Sequence, residues 1–110
     1  MTIKDIVEAL KLDVACGENL LDRSVIGGYV GDLLSVVMGK AQEDNVWITV
    51  QGHINIIAVA SLINVSCKIV SEGFDIEEDS IKKAIEEDIV LLRSSLSSFE
   101  ICKELTTLGV

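Results

Sequence analysis

The chain has 110 residues, of which 49% are hydrophobic and 25% charged, so it can bury one core but is too short for two independent ones. Its formal net charge of −9 repels phosphate backbones and anionic lipid headgroups, which argues against nucleic-acid and membrane-surface partners. Three scattered cysteines without a Cys-x-x-Cys pair predict reduced thiols, no disulfide framework and a cytoplasmic location.

The first forty residues give short and separate secondary-structure signals. A capping pattern that starts at Thr2 predicts a short helix, and Leu12–Cys16 predicts a first strand. The glycine cluster at 27–31 predicts a tight turn through which backbone passes closely. Asp32 is the expected N-cap of a helix that reaches Met38 and stops at Gly39.

From Val46 onward, strands and helices alternate with short connections. The predicted strands are 45–50, 67–70 and 89–92, and the predicted helices are 54–63, 77–87 and 97–108. The strands are continuous apolar runs, as in parallel sheets covered on both faces. We therefore expect a single α/β domain over 1–110, a three-layer α/β/α sandwich with an incomplete Rossmann-like, mostly parallel sheet.

Two of the helices make specific predictions about burial. The helix at 77–87 is amphipathic, and Ile76, Ile81, Ala84 and Ile85 are expected to face inward. Ile54–Ile63 is apolar nearly all round, which predicts burial on two sides, although it is too short to span a bilayer. A second subunit in a homodimer or neighbouring loops of the same chain are the two covers that fit this pattern.

Polar side chains follow the three predicted strands at their carboxyl ends, where open α/β sheets bind ligands. A site there suits a neutral or anionic metabolite or nucleotide, with Arg93 as the source of positive charge. The same residue types also cap helices and satisfy turns, and that interpretation stays open. The candidate ligand-binding residues are Thr49, Gln51, His53, Asn55, Ser71, Arg93, Ser94 and Ser95.

Catalytic and metal-binding patterns are incomplete. His53 is the only histidine, so a nucleophile such as Ser94 or Ser95 has one base to rely on, and no serine lies in a nucleophile elbow. One histidine and scattered cysteines give no zinc spacing, and the acids at 72–79 fit a solvated helix start better than a calcium loop. No catalytic residues, metal or cofactor are therefore expected.

The segment Leu21–Ser35, with an Asp-Arg-Ser start and a Gly-Gly pair, resembles the signature of the DRTGG domain family. Similar patterns continue through Val46–Ala60 and Leu92–Glu100, so the resemblance covers roughly residues 10 to 110. The motif residues are Asp22, Arg23, Gly27, Gly28, Gly31 and Asp32. We interpret Asp22 and Arg23 as a structural brace of the glycine turn, with a contact across a dimer interface as the alternative.

The resemblance implies a Rossmann-like accessory domain that frequently dimerises, similar to the N-terminal domain of HPr kinase/phosphorylase. In that enzyme the chemistry resides in a separate P-loop domain. Here Gly39-Lys40 is followed by Ala41, and Leu34 stands five positions before Gly39, so the P-loop pattern is not met and a kinase activity does not transfer.

Three functions follow, in order of preference. The first is a non-catalytic regulatory or scaffold module that homodimerises and contacts a partner, such as a separately encoded enzyme. The second is a sensor of a small metabolite or nucleotide at the strand ends. The third and weakest is a small enzyme that depends on His53.

Overall fold

A five-stranded sheet with helices on both faces forms the centre of the molecule. The computed structural model describes residues 1–110. Its elements are, in chain order, α1 (Ile3–Leu10), β1 (Asp13–Cys16), a 3-10 turn (Glu18–Leu20), β2 (Gly28–Val30), α2 (Leu34–Lys40), β3 (Val46–Thr49), α3 (Asn55–Ile63), β4 (Cys67–Val70), α4 (Glu78–Glu86), β5 (Leu91–Arg93) and α5 (Ser98–Leu108).

The strand order is β1-β5-β4-β3-β2. Strands β2, β3, β4 and β5 run parallel, and β1 pairs antiparallel with β5 at one edge. Every residue of β3 and β4 is buried, because these central strands have helices on both faces. The predicted three-layer α/β/α fold with a mostly parallel sheet is confirmed.

Each face of the sheet has its own core. Side chains alternate along β3, so that Val46 and Ile48 join one core while Trp47 joins the other. The first core contains the inner sides of α1 and α5, and the second those of α2, α3 and α4. No helix is long and apolar enough to cross a bilayer.

The start of α2 differs from its prediction. Asp32 does not cap this helix; the N-cap is Leu33, which makes no side-chain cap, and the helix runs through Gly39 to Lys40. The Asp32 carboxylate instead accepts hydrogen bonds from Thr49 Oγ1 and the Val50 amide at the end of β3. Both bonds go to Oδ1 and hold the carboxylate at the end of β3 and not at the helix terminus.

The glycine cluster also differs from its prediction. Gly28, Tyr29 and Val30 do not form a tight turn but the edge strand β2, in parallel register with Val46, Trp47 and Ile48. Glycine signals a turn in sequence because it tolerates positive φ, yet here only Gly27 of the cluster has one. The strand depends on pairing with β3, which lies 18 residues further along in register (Gly28 with Val46).

Two burial predictions need correction. Ile85 is 61% exposed, while Ser80 of the same helix is fully buried, because the helix turns its Ser80–Ala84 side to the sheet. Helix α3 buries Ile56, Ile57, Val59 and Ala60 against the second core, but Leu62 remains 70% exposed. The chain's own loops therefore do not cover the outer side of α3.

Candidate functional site

The carboxyl ends of β3, β4 and β5 lie side by side at one edge of the sheet because these strands are parallel neighbours. The eight predicted ligand-binding residues occur in or directly after these strands, so the fold brings their segments to this strand-end edge. Most of these side chains are engaged in hydrogen bonds within the chain, which link the strand ends to the loops and helices around them.

Asp32 joins the end of β3 to the segment that precedes α2. Its Oδ1 accepts from Thr49 Oγ1 at 2.6 Å and from the Val50 amide at 2.9 Å. Gln51 Nε2 returns a hydrogen bond to the Asp32 carbonyl at 2.8 Å. The Thr49 hydroxyl is engaged in this bond, and the residue is only 1% exposed, so the hydroxyl is out of reach of solvent.

Lys68 lies beneath this junction and is a residue that sequence reasoning missed. Its side chain is fully buried, and Nζ donates to the Gln51 carbonyl at 2.7 Å and lies 5.9 Å from the centre of the Trp47 ring. Burial away from water lowers the pKa of Lys68 from its ordinary 10.5 to about 7. The sequence does contain a signal for it: Lys68 is a single lysine inside a strand that is predicted to be buried.

Gly52 fixes the loop after β3 to the start of α4. Its carbonyl accepts from Ser80 Oγ at 2.7 Å and from the Glu77 amide at 3.2 Å. A Cβ at this position would collide with the backbone carbonyl oxygen of Asp75. Only glycine lets the two backbone segments approach this closely.

Arg93, the expected source of positive charge, is bound to the loop after β4. Nε donates to the Phe74 carbonyl at 2.8 Å, and Nη2 donates to the Gly73 carbonyl at 2.7 Å and to Asp75 Oδ1 at 3.1 Å. The guanidinium therefore organises three consecutive residues of its own chain. This arrangement corresponds to the structural alternative left open for the strand-end residues.

The buried serines act in the same way. The Ser71 and Ser98 hydroxyls lie 2.6 Å apart, and Ser94 Oγ accepts from the Leu96 amide at 3.1 Å. Glu72 Oε2 also accepts from the Ser98 amide at 2.9 Å. These bonds tie the loops after β4 and β5 to the beginning of α5.

Three predicted residues, His53, Asn55 and Ser95, keep exposed side chains. His53 Nδ1 accepts from the Asn55 amide at 3.1 Å, which leaves Nε2 as the protonated nitrogen in the neutral ring. Helix α3 begins there without a side-chain cap from its N-cap residue, and its first amides are already bonded: Ile56 donates to the His53 carbonyl and Ile57 to the Ile54 carbonyl. The exposed groups that could hydrogen-bond a ligand are therefore the His53 Nε2–H, the Asn55 side-chain amide and the Ser95 hydroxyl.

Among the motif residues, Arg23 makes the clearest contact. Its Nη1 donates to the Asp88 carbonyl at 2.7 Å, which ties the segment before β2 to the loop between α4 and β5. Asp22 is exposed. Gly31 accepts from Trp47 Nε1 at 2.9 Å and donates to the Ile48 carbonyl at 3.1 Å, so it belongs to the pairing of β2 with β3.

The structure contains three cavities, and none is lined by the eight predicted residues. One of about 150 Å³ lies between the β2 edge and α5 and includes Val30, Ile48 and Leu105 in its wall. One of about 300 Å³ lies between the end of β1 and α4, and one of about 180 Å³ between α1 and α5.

The fold is similar to the crystal structure of the CBS and DRTGG domains of the regulatory region of Clostridium perfringens pyrophosphatase, complexed with its activator diadenosine tetraphosphate. The TM-score is 0.73 at 17% sequence identity, over 94% of this chain and 45% of that one. This chain thus spans less than half the length of that structure. No protein-family model matches the chain, and no curated protein matches its sequence significantly. The resemblance to the DRTGG family is confirmed at the level of the fold.

Proposed function

We propose that this chain is a non-catalytic regulatory module that forms a homodimer and acts by contact with a partner protein. The fold that it shares with a pyrophosphatase regulatory region supports the regulatory part. The observation that carries the contact with a partner is the exposure of both phenylalanines of the chain at the strand-end edge. Phe74 is 54% exposed and Phe99 83%.

The position of these rings favours recognition of a protein. Phe74 lies in the loop after β4 and Phe99 in the first turn of α5, and Ser71, Glu72 and Ser98 join these two segments by hydrogen bonds. Aromatic side chains, phenylalanine included, are enriched in protein interfaces, and rings held on a fixed backbone lose little entropy on binding. The internal bonds of Arg93 and the serines supply that fixed backbone.

Sensing of a nucleotide or small metabolite is the second candidate. The structurally similar regulatory region was crystallised with a nucleotide activator. In this chain the exposed side chains of His53 and Asn55 offer hydrogen-bond donors at the strand-end edge, next to the start of α3. The net charge of −9 opposes a highly charged nucleotide, which is why this candidate stands second.

Native mass spectrometry and calorimetric titration separate the two candidates. For the regulatory module, we expect a dimer that carries no additional mass and releases no heat with diadenosine tetraphosphate or ATP. A retained ligand that the His53→Ala, Asn55→Ala double variant loses would put the sensor in first place. Turnover that His53→Ala alone abolishes would contradict a non-catalytic role.

Contact with a partner is tested by photo-crosslinking in cells with a reactive amino acid at position 99, and at exposed Lys103 as the matched control. We expect an adduct from position 99 only, with a protein whose activity changes when the purified chain is added. Phe74→Ala with Phe99→Ala should remove that change while the fold is retained. An unchanged effect in this double variant would contradict the proposed contact surface.

A further inference from the structure

Strand β2 is a short edge strand that carries neither a charged side chain nor a proline. It pairs with β3 on one side and has no strand on the other. Proteins normally protect edges by short strand length, charged side chains, proline or covering segments, and β2 has only its length of three residues. Residues 26–39 contain a single charged side chain, Asp32, in a chain that is 25% charged and has no proline. The Asp32 carboxylate is itself occupied by Thr49 and Val50.

The same segment is the main apolar surface of the molecule. Of the eleven large hydrophobic side chains that are exposed, five lie within residues 26–38. They are Ile26 (67% exposed), Val30 (49%), Leu33 (66%), Val36 (39%) and Met38 (49%). A concentration of this kind on a surface with a single charged side chain marks an interaction site. Here the apolar side chains surround the unpaired edge of β2, so a partner can form backbone hydrogen bonds and apolar side-chain contacts at the same place.

We propose that this β2 edge is the surface through which two copies of the chain associate. About a twofold axis, β2 of one copy lies antiparallel to β2 of the other, and the two five-stranded sheets become one continuous sheet. The inference rests on the homodimer of the proposed function and specifies where its interface lies. It places the contact at residues 26–38 and not on the outer side of α3.

The charge distribution favours a second copy as the occupant over a partner that is attracted by charge. Each copy carries a net charge of −9, so two copies repel one another wherever acidic surfaces meet. Residues 26–39 let them meet with one acid per copy, and that acid is already hydrogen-bonded. A different protein attracted by charge would bind the acidic surface and leave this apolar segment exposed.

Pairing of a three-residue strand is too small an interface by itself, because a stable dimer buries about 800 Å² per partner. Side chains on both faces of the β2 edge enlarge it. On one face, Leu33 and Val36 project from the start of α2. On the other, Val30 borders the cavity of about 150 Å³ whose wall includes Cys102 and Leu105 of α5, and we expect an apolar side chain of the second copy to enter it.

The test compares two lysine substitutions at exposed apolar positions by native mass spectrometry and light scattering over a concentration series. Val30→Lys places a charge in the β2 edge, and Leu62→Lys places one on the outer side of α3, where the side chain is 70% exposed. We expect the wild type to be dimeric, Val30→Lys to raise the dissociation constant at least about 100-fold, and Leu62→Lys to match the wild type. Circular dichroism verifies that both variants fold.

The outcomes separate the location of the interface from the existence of the dimer. A dimer that Leu62→Lys dissociates and Val30→Lys does not would move the interface to α3 and overturn this inference while the homodimer stands. A monomeric wild type would overturn both the homodimer and this inference. The β2 edge would then be a pairing site for a strand of another protein.

Amide hydrogen exchange gives a second measurement that needs no variant. The amides of β2 should exchange faster when the wild type is diluted below its dissociation constant, while those of the buried strand β4 should not change. Equal exchange of β2 at high and low concentration in a dimeric protein would contradict pairing through this edge.

Discussion

Lys68 is the residue whose chemistry the fold changes most. A lysine with a fully buried side chain and a single hydrogen bond to a carbonyl is costly to keep charged, which is why burial lowers its pKa to about 7. Between about pH 7 and pH 10.5 the unfolded chain binds a proton at this position that the folded chain does not. The free energy of unfolding should therefore rise with pH in this window, and the lysine lowers stability most at or below pH 7.

Lys68→Met tests this coupling. We expect the variant to be more stable than the wild type at pH 7 by ~2 kcal/mol, and the difference to shrink as pH rises to 9. Urea unfolding of the variant and the wild type at several pH values measures this difference in the free energy of unfolding. Burial also raises the pKa of Cys67 to about 12, which lowers stability above pH 9, but both proteins share this effect. A difference that does not change with pH would mean that the lysine pKa is not lowered.

Gly52 is the second residue with a role set by tertiary contact. Because a Cβ there collides with the Asp75 backbone, Gly52→Ala must displace the loop from α4 and should lower the free energy of unfolding by ~2–4 kcal/mol. Gly39→Ala is the matched control, since nothing lies within 4 Å of a Cβ at that helical position. Gly39→Ala should leave the free energy of unfolding unchanged or raise it by up to ~1 kcal/mol. Similar losses in both variants would exclude the close approach at Gly52 as the cause.

At the scale of elements, those with strong local signals form as predicted. Helices α1 and α5 begin with capping boxes at Thr2 and Ser97, in which the hydroxyl and the acid three residues later exchange bonds with backbone amides. Both acceptor and donor lie within one turn, so sequence patterns alone determine these starts. At β2 and the start of α2 the local signals, a glycine cluster and a single acid at Asp32, predicted a turn and a helix cap that tertiary contacts override.

Removal of the cap at Ser97 provides a test of this local encoding. Ser97→Ala leaves the Glu100 amide without its acceptor at 3.1 Å and should lower the free energy of unfolding by ~1 kcal/mol. Exposed Ser95 in the same loop serves as the control, and its alanine variant should unfold within about 0.5 kcal/mol of the wild type. Thermal and urea unfolding measure both. Equal effects would mean that the cap contributes nothing to the start of α5.

At the scale of the whole molecule, net charge sets the conditions for association. A dimer of two copies, each with a charge of −9, is opposed by long-range repulsion that salt screens, since the Debye length falls from about 30 Å at 0.01 M to about 8 Å at 0.15 M. Residues 26–39 at the β2 edge contain no lysine or arginine, so the interface has no attractive ion pair that screening would weaken. The dimer should therefore tighten as salt is added.

Sedimentation equilibrium at low and moderate sodium chloride measures this effect. We expect the dissociation constant to fall several-fold between about 0.01 M and 0.15 M salt. Weakening of the dimer by salt would show that opposite charges hold the interface, which residues 26–39, with one charged side chain, do not supply.

The sequence by itself determined the α/β class, the alternating order from Val46 onward and the segments that meet at the strand-end edge, because apolar periodicity and helix caps are encoded within a few residues. Only the tertiary structure decided what the polar side chains do there. Asp32 binds Thr49 17 residues away, and Arg93 binds Phe74 19 residues away. Such partners are selected by the packing of strands side by side, as is the pairing of β2 with β3, and no local pattern in the chain specifies them.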